Sequence, residues 1–256
     1  MSFRRGVIFT AVGIFLFYAL LILSLFYFLN AKDFVQILLS PRTIYSIKLS
    51  LFVGAGATFL AVAIAVPAAY ALSRYNFVGK TIVDTFLELP MIVSPIALGA
   101  IILIFFSTKY GTSLKDYFVF EIPGILLAQF VTVLGIATRL IKSVFDEISP
   151  RYEAVARSLG ATPFNSFRLV SLPLAYKGIL AAAILCFAKS IGEFGATITV
   201  AGSMAMKTET LPIAIFSKLS TADIEGTVVL IMTLLFIGLS VLYLIRLIGG
   251  GKRAGY

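Results

Sequence analysis

S-P-R-Y-E-A-V-A-R-S-L-G-A-T-P-F-N-S-F-R-L-V-S-L-P, residues 149–173, is the longest polar island in a chain otherwise built from apolar blocks. The blocks on either side read as membrane spans. A membrane protein has little reason to place two capped helices in one connection unless something docks there. Ser149 is positioned to cap a helix with Pro150 at its first residue, and Gly160 can end that helix in a left-handed turn. Thr162 and Pro163 repeat the start signal. Tyr152, Val155, Ala156 and Leu159 fall on one face of the first helix, and Phe164 and Phe167 on one face of the second. The stretch predicts a helix-turn-helix on a membrane surface, presenting apolar and small side chains to a partner.

Working outward, the 256 residues are 60% hydrophobic and 13% charged, where soluble domains are nearer 25% charged. Crossing a bilayer takes about 20 apolar residues. Uncharged runs of 26, 25, 20, 17 and 20 residues lie between Arg5 and Lys32, Lys48 and Arg74, Glu88 and Lys109, Glu121 and Arg139, and Glu225 and Arg246. A sixth span, near 176–201, is interrupted by Lys189 and Glu193. The first run is too long for a cleaved signal peptide, and no small-residue cleavage region follows it before Asn30. The expectation is an all-α polytopic membrane protein with six transmembrane helices, near 7–29, 46–73, 86–106, 123–142, 176–201 and 226–246. Residues 1–256 then form a single transmembrane domain with no linker or repeat.

The net charge of +9 is distributed for a membrane, not for nucleic acid. With the N-terminus placed in the cytoplasm, 13 basic residues fall inside, 7 outside, and Lys189 within a span. That excess marks the cytoplasmic side. Both termini and the polar island are expected there, in the cytoplasmic membrane. The single Cys186 excludes a disulfide within the chain, and the absence of histidine removes the commonest metal ligand and general base.

Along the chain, 30–47 reads as an outer loop, and Arg74 to Asp84 as a short inner one. Span two carries the small residues Gly54 to Thr58 for close helix approach, and a kink at Pro67. Span three starts at Leu89-Pro90 and breaks at Ser94-Pro95. Residues 202–224 form an outer segment, with Leu211, Ile215 and Leu219 on a short helix lying at the interface.

E-A-V-A-R-S-L-G-x9-V-S-L-P, from Glu153 to Pro173, resembles the cytoplasmic signature loop of permease subunits in binding-protein-dependent ABC importers. In that family the loop forms a coupling helix seated in a cleft of the ATP-hydrolysing subunit. The pattern runs Glu-Ala-Ala, three residues, Gly, nine residues, Ile, any residue, Leu-Pro. Counting back from Gly160, its first three slots are Ala154, Val155 and Ala156, so Glu153 stands one residue before the acidic slot. That departure weakens the case for its direct pairing with a base on the partner. The resemblance implies ATPase coupling through Glu153, Ala154, Val155, Ala156, Leu159, Gly160, Pro163 and Phe164.

I-G-E-F-G-A-T-I-T-V (191–200), T-E-T-L-P-I-A-I (208–215) and E-L-P-M-I-V-S-P (88–95) resemble the branch of that family importing molybdate, with relatives for tungstate and sulfate. The implied fold is a type I importer permease, one protomer of a homodimeric pore. Two ABC ATPase subunits are implied on the cytoplasmic side, and an oxyanion-binding protein outside. No cofactor or metal is expected on this chain, because ATP and magnesium belong to the partner ATPase. Val78-Gly79-Lys80-Thr81 mimics the end of a phosphate-binding loop, but Arg74 occupies the place of its first glycine. Nothing in the sequence supports catalysis by the chain itself.

Candidates for the translocation path are Ser94, Pro95, Lys189, Glu193 and Thr197, with Thr199 beside them. A proline within a span frees a carbonyl, and such backbone usually faces protein or a watery cavity; a plain packing kink fits Ser94-Pro95 as well. Lys189 and Glu193, at i, i+4 spacing, should pair or face water, since an unpaired charge mid-span costs about 2.5–3.5 kcal/mol. A pore-side role and a structural salt bridge weigh equally. Thr197 and Thr199 could instead bond their own backbone. Sulfate, thiosulfate or tungstate as cargo, an ion-gradient transporter and a membrane scaffold remain as alternatives.

Overall fold

The computed structural model describes residues 2–28 and 31–249, which form helices and turns. Five unbroken helical segments are long and apolar enough to cross a membrane: Phe3–Phe28, Pro41–Arg74, Ile122–Glu147, Pro163–Ile191 and Ile224–Leu244. A sixth span exists only as a broken one, Lys80–Ile92 followed by Pro95–Ser107 at an angle of 113°. The basic tail with Lys252 and Arg253 lies outside the described residues.

α1 (Ser2–Leu25) carries no charge after Arg5, and its described side chains are not buried in this chain. The segment expected as an outer loop instead holds α2 (Ala31–Leu38), and the next helix begins early. Its start is set by local chemistry: the Ser40 hydroxyl accepts the Thr43 N–H, and Pro41 occupies the first turn where its missing N–H costs nothing. α3 (Pro41–Arg74) then runs 34 residues without interruption at Pro67. That is about 50 Å, so it extends beyond a hydrocarbon core of about 30 Å.

α3 and α8 (Ile122–Glu147) form the central pair. Ala57, Ala61, Ala65 and Ala69 recur every fourth residue on α3 and are fully buried. Such a small-residue stripe lets two backbones approach closely. Against it stand Val133, Ala137, Ile141 and Phe145 of α8, with Ala175, Ala182 and Cys186 from α11 (Leu172–Ile191) completing the core.

The short inner loop expected at Arg74 to Asp84 contains α4 (Lys80–Leu87), followed by α5 (Leu89–Ile92). α6 (Pro95–Ser107) then leaves at a steep angle, so the span expected at 86–106 is broken at Ser94-Pro95, as its sequence indicates, and a short α7 (Lys115–Phe118) leads on to α8. Ser94 and Pro95 cause the turn. The extended Ser94 caps α6 by accepting the Ala97 N–H, and proline disfavours helix in the residue before it.

Within the polar island, α9 (Arg151–Ser158) forms, but Pro150 is its N-cap and Ser149 makes only a marginal contact with the Arg151 N–H at 3.4 Å. The second expected helix starts as predicted, with Thr162 capping α10 (Pro163–Ser166) through the Asn165 N–H. It does not stop there. A π-helical turn over Phe167–Ser171 carries it into α11, so Pro163–Ile191 is one helix of 29 residues. Pro173 explains the turn: it lacks an N–H and its ring would press on the carbonyl four residues back. Widening the preceding turn, with the Leu172 N–H reaching the Phe167 carbonyl, absorbs both effects.

Span five ends at Ile191, ten residues sooner than expected, and resumes after Gly192–Phe194 as α12 (Gly195–Ala201). After the turn-rich stretch to Thr210, α13 (Leu211–Ser220) leads to α14 (Ile224–Gly249). The short helix expected from Leu211, Ile215 and Leu219 forms, and its first turn is packed into the bundle. Leu211 and Ala214 are buried against Leu230 of α14, while Leu219 at its far end is exposed.

Candidate functional site

The helix-turn-helix expected of the polar island forms, and it has an internal anchor. On α9, Tyr152, Val155 and Leu159 are exposed, with Phe164 beyond the Gly160 turn. Gly160 has φ +92°, a conformation open to glycine and costly to other residues, and it makes the corner between α9 and α10. Ala154 and Pro163 are also exposed, and Ala156 is half-buried. Phe167 turns inward and packs on Tyr70 at 4.6 Å between ring centres.

Glu153 does not face a partner. It is buried, and its carboxylate accepts three hydrogen bonds: from Ser171 Oγ at 2.6 Å, Tyr70 Oη at 2.7 Å and Arg74 Nε at 2.8 Å. Arg74 also donates to the Ile148 carbonyl at 2.7 Å, across the junction from α8 to α9. Burial alone would raise the Glu153 carboxyl, but the hydrogen bonds from Ser171, Arg74 and Tyr70, with the charge of Arg74, outweigh it and hold the group below the usual carboxylate range. α9 is thus fastened to the end of α3 and the beginning of α11. Tyr70, Arg74 and Ser171 were missed in the sequence reading. Their signal was available: two polar side chains one turn apart close an apolar span, and a serine precedes Leu172-Pro173.

The candidate path residues lie where two helix breaks meet. A Cβ on Gly195 would stand 3.0 Å from Pro95 and 3.1 Å from Ile96, and one on Gly99 would stand 2.7 Å from Thr199 Cβ. The start of α12 therefore rests directly on the start of α6. Ser94 and Pro95 are exposed at this contact. Lys189 and Glu193 pair at 2.6 Å across the end of α11, not along a continuous helix. Glu193 is buried and also accepts the Ala196 N–H, so it caps α12. The Lys189 side chain is 44% exposed. Thr197 is fully buried with no hydrogen-bond partner for its hydroxyl, and Thr199 bonds its own helix at the Gly195 carbonyl. Gln129 of α8 reaches this level too, accepting from Ser190 Oγ at 2.9 Å.

At the same end as α9, a cavity of about 570 Å³ lies between α4 and the end of α8, lined by Asp84, Glu88, Arg139, Lys142, Asp146 and Glu147. Glu88 pairs with Arg139, and Asp146 with Lys142. At the other end of the bundle, Arg42 grips the buried Glu209 with two bonds of 2.6 and 2.7 Å, and Lys207 pairs with Glu121. These pairs fix the 203–210 connection onto α3 and α8.

A helical chain with apolar spans, a clamped polar helix α9 and two apposed helix breaks can be set beside known proteins. A family model described as "Binding-protein-dependent transport system inner membrane component" matches residues 61–253. The chain belongs to that family. Its relatives there are permease subunits. The molybdenum transport system permease protein ModB of Haemophilus influenzae is 32% identical over 188 residues, 71% of this chain and 82% of that protein. The sulfate transport system permease protein CysT of Salmonella typhimurium is 30% identical over 216 residues, covering 82% and 78%. The molybdate/tungstate permease protein WtpB of Methanocaldococcus jannaschii is 30% identical over 239 residues, 93% of each chain. Among solved structures, a permease chain of a bacterial ABC transporter importing alginate superposes with TM-score 0.73 at 16% identity, covering 93% of this chain and 96% of that one, which shows the shared fold. Membership in this importer permease family displaces the ion-gradient transporter and the scaffold as readings.

Proposed function

We propose that this chain is the pore-forming subunit of an ATP-driven importer of molybdate. Two copies form the pore, and two ATP-hydrolysing subunits dock on α9. An external binding protein supplies the oxyanion to the opposite face, near the Glu121–Lys207 and Arg42–Glu209 pairs. In this reading the chain hydrolyses no ATP, holds no cofactor, and has both termini and α9 in the cytoplasm, as the positive-inside count requires.

The observation that carries the mechanism is the Glu153 clamp. Movement of the docked α9 cannot be absorbed locally, because Glu153 ties it to α3 through Tyr70 and Arg74 and to α11 through Ser171. α11 is a rod of 20 residues that ends at Gly192, next to the Lys189–Glu193 pair. At 1.5 Å per residue it spans about 30 Å, the depth of the membrane core. A displacement of its α9 end therefore arrives at the contact between Gly195 and Pro95. Separation of the α5/α6 and α11/α12 breaks opens the path, and their apposition closes it. The cargo needs little binding affinity there, since capture belongs to the binding protein.

Molybdate is supported as cargo by relatives named for molybdenum in Haemophilus influenzae, Escherichia coli and Haloferax volcanii. Sulfate is the second reading, supported by the CysT relatives at comparable identity over a longer stretch. Vesicles holding the permease with its ATP-hydrolysing and binding subunits decide between them. ATP-dependent uptake of labelled molybdate, undiminished by excess sulfate, supports the proposal. Uptake of sulfate alone overturns the choice of cargo, and uptake without ATP overturns the mechanism.

A further inference from the structure

We infer that the permease meets its ATP-hydrolysing partner with positive charge only, and that an acidic side chain of that partner enters a small polar cavity beside Arg157. The inference rests on the reading that such a partner docks on α9. Between Ser149 and Lys177 the only acidic residue is Glu153. The clamp buries it and consumes its carboxylate internally. The exposed charges left on this surface are Arg151, Arg157, Arg168 and Lys177. Among the described residues no carboxylate pairs with any of them, while the neighbouring acids of α8 face the separate cavity that holds Arg139 and Lys142.

Arg157 stands in the last turn of α9, at the rim of a cavity of about 120 Å³ that also takes in Glu153 and Arg74, already paired with each other, and Tyr75, Pro163 and Ser166, so Arg157 carries its uncompensated charge. Ser166 is 2% exposed, and its hydroxyl has no hydrogen-bond partner. A buried hydroxyl without a partner is costly and is normally satisfied. A carboxylate drawn in by Arg157 can accept that proton with a small shift of the Ser166 rotamer. Next to this cavity, and sharing Tyr75 and Pro163 with it, an apolar groove of about 400 Å³ runs between Phe164, Ala71 and Pro67. The matching partner surface therefore carries an aspartate or glutamate beside an apolar side chain. Arginine flanked by exposed aromatic residues is the usual composition of a protein interface core, which favours a protein over a lipid headgroup as occupant. The polarity is the reverse of a pairing between Glu153 and a partner's base.

The test uses the permease in lipid nanodiscs and the ATP-hydrolysing subunit that co-purifies with it from its own membranes. Arg157→Gln removes one charge-assisted contact, and affinity is expected to fall about tenfold. Raising salt from about 0.1 to about 1 M shortens the screening length from about 10 to about 3 Å, and binding is expected to weaken in parallel. Arg157→Glu should abolish assembly, and a Lys in place of the partner's acidic residue nearest position 157 should restore it. Arg157 is exposed and makes no contact that folding needs, so monodisperse, α-helical variant protein serves as the control. Binding indifferent to salt and to Arg157→Glu overturns the inference while leaving an ATP-hydrolysing partner in place. Loss of bound phospholipid, with subunit affinity unchanged, assigns the cavity to a headgroup and also overturns it. Failure of the unaltered permease to hold any ATP-hydrolysing subunit removes the functional reading along with the inference.

Discussion

Replacing Glu153 with Gln should release the coupling helix from the bundle without unfolding the bundle. The change keeps the side-chain shape but removes the charge that receives bonds of 2.6, 2.7 and 2.8 Å from Ser171, Tyr70 and Arg74. The Arg74 side chain, only 7% exposed, is left without its counter-charge. Breaking a buried ion pair by removing one partner costs about 3–5 kcal/mol. Arg74 keeps its bond to the Ile148 carbonyl, so the low end applies. At about 1.4 kcal/mol per factor of ten, local opening of α9 rises about a hundredfold. Hydrogen exchange at residues 151–158 and tryptic cleavage after Arg151 and Arg157 both report that opening, while the amides of α3 and α8 should stay protected. ATP hydrolysis by the assembled complex should then lose its dependence on the loaded binding protein. Because the loss comes mainly from a stranded charge, Arg74→Met with Glu153→Leu should cost less than either change alone. Exchange at 151–158 within a factor of two of the unaltered protein would refute the clamp.

Three further outcomes are expected. Glu153 is held below its unfolded value of about 4.3, so its contribution is complete above that pH and is lost only as pH falls through the lower folded value. Protection of α9 should therefore be flat from pH 8 to about pH 5, and a loss near neutrality would contradict it. Lys189→Met and Glu193→Gln should each lower folded yield, and the double change should restore it, because either single change strands a charge at a helix break; normally folded singles that fail in transport would place the pair in the path instead. Gly160→Val should insert normally but lose the ATP-hydrolysing subunit on purification. Open space surrounds Gly160, so the effect comes from its φ of +92° alone, a strain of about 1–2 kcal/mol for a residue with a Cβ; normal co-purification counts against the placement of the docking corner.

Much of this architecture was legible because membrane spans announce themselves by uncharged length, and the docking helix by proline and glycine punctuation around a polar run. The breaks were harder. Ser94-Pro95 marked a discontinuity, but a proline-serine step also fits a modest kink, and the 113° bend depends on α6 packing against α12 through Gly99 and Gly195. Span five looked continuous because Lys189 and Glu193 suit a helical i, i+4 pair. Their pairing survives, while Gly192 and the capping of Ala196 by Glu193 end the helix between them. Thr162-Pro163 correctly signalled a start, but the missing stop signal before Leu172 was the clue that α10 continues into α11. The inward turn of Glu153 could not be read from spacing within the loop, because its three partners lie 18, 79 and 83 residues away.

The most direct test of the whole account is molybdenum accumulation, measured by elemental analysis, in cells with and without this gene at trace molybdate, with tungstate and sulfate as competitors. The account predicts that deletion abolishes accumulation, that a large sulfate excess does not compete, and that tungstate does. Unchanged molybdenum with a failing sulfur supply would leave the importer permease in place and contradict its cargo.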